Sequence, residues 1–412
     1  MTVWNEYSKL KSVFLGKRFN EQIVRDRFGN IISKGNLEAL ININEEINED
    51  LDKIQKFLEA NGTKVYRPNL DVYWKLSEKD VVDPGAVRDW CFAYGDLILI
   101  SQTSFHQRRF EYMFWEDAFV ELEKKGKIII QFPFSSTRIA NEEKKIASTL
   151  SIDQIKDLML EYMSNLDDVP RNSNISTKFR NVLTEDRIED YFINEKGERK
   201  ITNWFNSYYF YLFSSYKTGF YNHAASYFKH NDIIYGSPLG TLSGRRMFEK
   251  TIKGFYPKTK FVYNGNVDPT HIDGWQNIVN EDFRISTGGI QPDHFKRDPD
   301  FMDMYTYYVF EDEWAWDPGN PDAIRNKFIK TANSARDGEY QRYWEDLRGW
   351  DQRVDFDLNG LTYEPGKMIA GFNNEKRLAE VRKHLHIENI PMRHRHVIDG
   401  GIHCYTLDVE RE

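Results

Sequence analysis

The densest group of reactive side-chain types closes the chain, where Arg393, His394, Arg395 and His396 precede Asp399-Gly400-Gly401-Ile402-His403-Cys404. Paired glycines let backbone approach a ligand closely, and a cysteine just after them stands at the mouth of a strand. Cationic neighbours favour the thiolate, so Cys404 reads as a nucleophile. The competing reading is an inert buried thiol, because unpaired cysteine is among the most buried residue types. A second group is Asp268-Pro269-Thr270-His271-Ile272-Asp273-Gly274. In an extended segment His271 and Asp273 share a face, so a base and a carboxylate converge there, on a ligand or simply on each other. The third group, Gly85-Ala86-Val87-Arg88-Asp89-Trp90, carries Asp89 into a strand, either as a cation-binding carboxylate or as a turn residue after Asp83-Pro84. His394, His396 and His403 offer imidazoles to a metal, but a solvated basic strand accounts for them as well, and no paired-cysteine spacing accompanies them. Gly236, Gly240 and Gly244 match neither a dinucleotide loop nor a P-loop.

These groups need a frame, and hydrophobic spacing supplies one. Residues 12–16 read as a short strand closed by glycine, followed by a polar stretch to about Gly35. Ile47, Leu51, Ile54 and Leu58 then form one stripe of a helix that Gly62 ends. Residues 63–67 return as a strand stopped by Pro68, and 90–100 fold back on Gly95-Asp96 as a hairpin. A helix over 110–125 leads to a strand over 127–132. Further strands are predicted at 232–235, 260–263, 283–286, 361–363 and 367–370, with a helix between the first two and another over 374–385. A charged helix at 152–163, a polar loop at 167–176 and a Trp/Asp-rich loop at 311–322 complete the reading. Short strands alternate with single helices and no Pro/Ser-rich linker intervenes, which predicts an α/β chain folded as one domain over residues 1–412.

Composition narrows the function classes. With 56 Lys+Arg against 64 Asp+Glu the net charge is -8, so the chain offers a polyanion no overall attraction and nucleic acid is not an expected partner. A hydrophobic share of 40% excludes global disorder. Cys91 and Cys404 are the only cysteines, so no disulfide framework is expected and a reducing compartment fits. The apolar runs at 97–100 and 128–130 are far shorter than the roughly 18 residues of a membrane span. The opening residues carry no basic-then-apolar leader, so a cytoplasmic protein without a membrane partner is expected.

Taken in order, the three groups resemble the amidinotransferase family, particularly glycine amidinotransferases and their streptomycin- and cyanotoxin-pathway relatives. The resemblance covers most of the chain. Residues 6–16 look like the family's first strand, and Arg88-Asp89 through Arg109-Phe110-Glu111-Tyr112 is similar to its Ala-Arg-Asp to Phe-Glu-Tyr block. The most specific matches are His271-Ile272-Asp273 and Gly400-Gly401-Ile402-His403-Cys404, the latter resembling Gly-Gly-Phe-His-Cys.

The resemblance implies a five-bladed, pseudo-symmetric α/β-propeller of strand, strand, helix, strand units with the active site at its axis. It implies that Cys404 attacks the guanidino carbon of an arginine-like donor, with His271 as acid and base, and that the amidino group passes to a small amine such as glycine. Asp89, Asp273, Arg88 and His403 are then expected at the substrate. The implied partners are a small-molecule guanidino donor and an amine acceptor, with no cofactor and no metal, and pairing as a homodimer. One departure stands out. Where the family carries Phe-Asp-Ala-Ala, this chain reads Asn222-His223-Ala224-Ala225. An imidazole does not stabilise a neighbouring imidazolium as an anion does, so His223 implies that another acid, such as Asp232, takes over, or that His271 is tuned differently. Two other readings stay open: a hydrolase in which water resolves the covalent intermediate, and a ligand-binding relative that has lost chemistry.

Overall fold

The computed structural model describes residues 2–30, 32–77, 81–101, 106–132, 222–236, 242–263, 273, 276–281, 283–287, 305–309, 357–395 and 400–412. The chain is α/β, and its described strands form five sheets of three strands each. Strands Cys91–Tyr94 and Leu97–Ile100 pair antiparallel, helix Glu116–Lys124 follows, and strand Ile128–Gln131 returns parallel to the second strand. A two-residue turn suffices for the antiparallel step, whereas a parallel return needs a crossover, here helical. Gly95 makes the turn at φ 60°, a left-handed conformation that costs glycine little.

The same order recurs twice more. Strands Tyr227–His230 and Ile233–Gly236 are followed by helix Leu242–Phe255 and strand Lys260–Tyr263. Strands Leu361–Glu364 and Lys367–Ala370 are followed by helix Glu375–Val381 and strand His386–Asn389. A fourth unit is split between the chain's two ends. Strand Thr406–Arg411 pairs antiparallel with Leu10–Leu15, and helix Lys34–Ala60 leads to Lys64–Tyr66, parallel to the latter. The fifth sheet, Gln276–Ile278, Phe283–Thr287 and Tyr305–Val309, shows the same antiparallel and parallel pairings.

The predicted stripe is real: Ile47, Leu51, Ile54 and Leu58 are fully buried against Leu10, Val13 and Leu15. Each such side chain contributes about 1.5–3 kcal/mol on burial. Cys404 belongs to the same apolar cluster, so the long helix backs the sheet that carries it. That helix starts earlier than the stripe, at an N-cap formed by Ser33, and the stretch read as polar also holds helix Glu21–Phe28, capped by Asn20 and burying Ile23 and Val24.

The segment predicted as one helix over 110–125 begins instead as a 3-10 helix, His106–Trp115. Arg108 and Glu111 pair at a spacing of three, which a 3-10 turn eclipses. The elements predicted at 152–163, 167–176 and 311–322 lie outside the described residues. No described helix is long and apolar enough to cross a membrane.

Candidate active site

Cys404 lies two residues before strand Thr406–Arg411 and is 4% exposed. The turn that holds it is fastened from several sides. Gly16 donates its N–H to the Tyr405 carbonyl at 2.8 Å, and Arg88 donates its backbone N–H to the Cys404 carbonyl at 3.3 Å. The Arg88 side chain is fully buried. Its Nε donates to the carbonyls of His403 and Thr406 at 3.1 and 2.9 Å, and its Nη2 to Asp408 at 2.9 Å. Glu6 lies 3.6 Å from its Nη1. Sequence expectation put Arg88 at the substrate; the structure directs its guanidinium into the protein, where it braces the turn that carries Cys404.

Asp408 is the hub of that brace, accepting also from Lys229 and Arg411 at 2.8 Å each. Burial alone would raise its pKa, but the Lys229, Arg411 and Arg88 cations hold it well below the usual carboxylate range. The 3-10 turn Val87–Asp89 is thereby tied to the Cys404 turn, which brings Asp89 toward the thiol. Asp89 is ion-paired with Arg108, whose guanidinium also grips Glu111 and the Ala86 carbonyl.

Asp273 reaches the same place from another sheet's approach. It is 1% exposed, and its Oδ2 accepts from His403 Nδ1 at 2.8 Å and from the Cys404 thiol at 3.5 Å. Its Oδ1 is buried without a hydrogen-bond partner among the described residues. His403 Nε2 faces Glu6 at 3.7 Å, so the imidazole lies between two carboxylates. The thiol is consequently pushed well above its ordinary pKa, first by burial and then by the charges of Asp273 and Asp89, with Asn359 and the Gly401 N–H working the other way.

Asn359 was not singled out by sequence. The pair Asn359-Gly360 ahead of a strand reads as turn chemistry, which hid it. It is 1% exposed and holds the Gly401–Cys404 segment throughout: its Oδ1 accepts from the N–H groups of Gly401 and Cys404, both at 3.1 Å.

The structure therefore gathers Cys404, His403, Asp273, Asp89 and the bracing Arg88. His271 and His396 lie outside the described residues. His223 is buried directly before the 3-10 turn Ala224–Ser226. Asp232, considered as its substitute, instead lines a surface groove with Trp4 and Tyr256. His394 bonds Glu46 on the long helix at 2.9 Å, whereas His403 turns to Asp273.

No family model matches the chain, and no curated protein matches it by sequence. Solved structures do, and the class they define is that of amidinotransferase-type α/β folds. The inosamine-phosphate amidinotransferase of Streptomyces griseus superposes with a TM-score of 0.57 at 14% identity, covering 100% of this chain and 96% of that one. An amidinotransferase of the saxitoxin biosynthetic pathway from Microseira wollei superposes with a TM-score of 0.59 at 13% identity, covering 100% of this chain and 97% of that one. At such identities the likeness is one of fold.

Proposed function

We propose that this protein modifies guanidino groups through Cys404, and specifically that it is an amidinotransferase carrying an amidino group from arginine or a related donor to a small amine such as glycine. One observation carries the reading: beside the buried thiol stands a carboxylate, Asp273, with one oxygen held by His403 and the other buried without a partner among the described residues. A guanidinium is planar, permanently cationic and forked, and supplies the missing N–H donor together with the charge that such a site favours. The five sheets serve as blades of one propeller domain, with the site near its axis, in a cytoplasmic enzyme acting on small molecules.

In this mechanism the donor's guanidinium lies against Asp273 and Asp89 and offsets their charge at the sulfur. The Cys404 thiol passes its proton to His271, the acid and base that the resemblance implies, and the thiolate attacks the amidino carbon, forming a C–S bond as a C–N π pair moves onto nitrogen. That pair re-forms the C–N π bond as the C–N bond to the leaving amine breaks, and the departing nitrogen takes the proton from His271. The amidino group remains on sulfur as a thioether. A neutral acceptor amine then attacks the same carbon, the C–S bond breaks, the thiolate returns and the surplus amine proton passes back to His271.

Incubation with arginine and glycine is expected to yield ornithine and guanidinoacetate, with an amidine adduct on Cys404 by mass spectrometry, and Cys404→Ala to yield neither. Citrulline formed without an amine would reassign the chain to the hydrolases. Absence of both product and adduct across a panel of guanidino donors would remove the catalytic reading.

A further inference from the structure

Asn359 makes several hydrogen bonds to the segment that carries Cys404. Its Oδ1 takes the N–H groups of Gly401 and Cys404, its backbone carbonyl takes the N–H of His403 at 3.1 Å, and its Nδ2 donates to the Asp273 carbonyl at 3.0 Å and to Cys404 Sγ at 3.3 Å. One side chain thus fixes the backbone on both sides of His403, fixes the backbone of the carboxylate beside the thiol, and points an N–H at the sulfur itself. Gly401 is part of the same arrangement: a Cβ there would lie 2.8 Å from both the Cβ and the carbonyl oxygen of Asn359. The close approach exists because that position has no side chain.

We infer that Asn359 is a positioning residue for Cys404, holding the sulfur's turn with its oxygen and stabilising the thiolate with its Nδ2–H. The inference rests on Cys404 being the nucleophile, but not on which donor or acceptor is used. The chemistry is that of a neutral hydrogen-bond donor at a thiol flanked by the carboxylates of Asp273 and Asp89. Burial, Asp273 and Asp89 all disfavour the thiolate, and the carboxamide N–H opposes them without adding a charge that would repel a cationic substrate. An ammonium or guanidinium in its place would lower the thiol's pKa further while competing with the substrate for the carboxylates.

The test needs no substrate. Full-length protein is alkylated with iodoacetamide between pH 6 and 10.5, Cys404 modification is read from its peptide by mass spectrometry, and thermal unfolding is recorded alongside. In Asn359→Ala the rate–pH curve is expected to move up by about one unit, so that Cys404 reacts about tenfold more slowly at pH 8. Asn359→Ser, whose hydroxyl can still accept from the turn's N–H groups, keeps the measurement readable if the alanine variant unfolds, and is expected to shift the curve in the same direction. Variants that melt lower but keep the wild-type curve would reduce Asn359 to a structural clamp and overturn the proposal. A wild-type Cys404 that fails to react anywhere in this range would overturn it too. Because no guanidino compound is present, an unchanged curve counts against Asn359 alone, whereas missing product with arginine and glycine counts against the proposed reaction.

Discussion

His403 Nδ1 lies 2.8 Å from Asp273 Oδ2, a contact between residues 130 apart in sequence, and the residue after His403 is the one whose sulfur meets the same oxygen. One carboxylate oxygen is therefore shared by an imidazole and a thiol, and the orientation of Asp273 is set before any ligand arrives. Asp273→Asn should have two effects of opposite sign. Loss of the charge-assisted bonds should weaken binding of a guanidino ligand about ten- to a hundredfold. Loss of the negative charge beside sulfur should move Cys404 alkylation to lower pH. Calorimetry and the alkylation profile would read the two separately, and a shift of the profile to higher pH would contradict the assignment.

The Cys404 thiol is held well above its usual range by burial, Asp273 and Asp89. Its alkylation by neutral chloroacetamide is therefore expected to be slow at pH 7 and to climb through the alkaline range, as the thiolate alone reacts. Chloroacetamidine, of similar shape but cationic, should react markedly faster at pH 7 because it brings the charge that the carboxylates attract. Equal rates for the two reagents would argue against an anionic guanidino site.

The brace behind the site makes an acid-stability prediction. Asp408 has a folded pKa depressed below its unfolded value of about 4, so its contribution is fully present above that value and is lost as pH falls through the folded pKa. Asp408→Asn leaves buried Lys229 and Arg88 short of a counter-charge and should cost about 3–5 kcal/mol at pH 7, with a flatter loss of stability toward pH 3. Denaturant unfolding at several pH values would measure both, and a variant within about 0.5 kcal/mol of wild type would show that the network is not a stability element.

Gly401→Ala tests the closeness of the Asn359 contact. A methyl group 2.8 Å from the Asn359 carbonyl oxygen cannot be accommodated unless the turn moves. Overpacking of this kind typically costs about 1–3 kcal/mol. Turnover should fall more steeply than stability, because the displaced turn carries Cys404. Wild-type turnover with an unchanged melting temperature would mean that the turn relaxes freely.

Elements were legible where local spacing encodes them. The period of Ile47, Leu51, Ile54 and Leu58, the hairpin around Gly95-Asp96 and the apolar runs at 97–100 and 128–130 all found their counterparts, because burial acts on neighbours along the chain. The order of the Cys404, Asp273 and Asp89 motifs pointed to a resemblance to amidinotransferases, and solved amidinotransferases share this chain's fold. The sequence expectation that cationic neighbours ease ionisation of Cys404 fails, because burial, Asp273 and Asp89 raise its pKa.

Only the tertiary structure decided which partners those side chains meet. The two chain ends form one sheet, with Ser12 bonded to Glu410 at 398 residues' separation, and that closure sets where Cys404 stands. Arg88, next in sequence to Asp89, turns inward to Asp408, while Asn359, which reads as a turn residue, meets the sulfur. A buried polar group must be satisfied by whatever partner packing brings to it, and the periodicity that specifies helices and strands carries no record of partners hundreds of residues away.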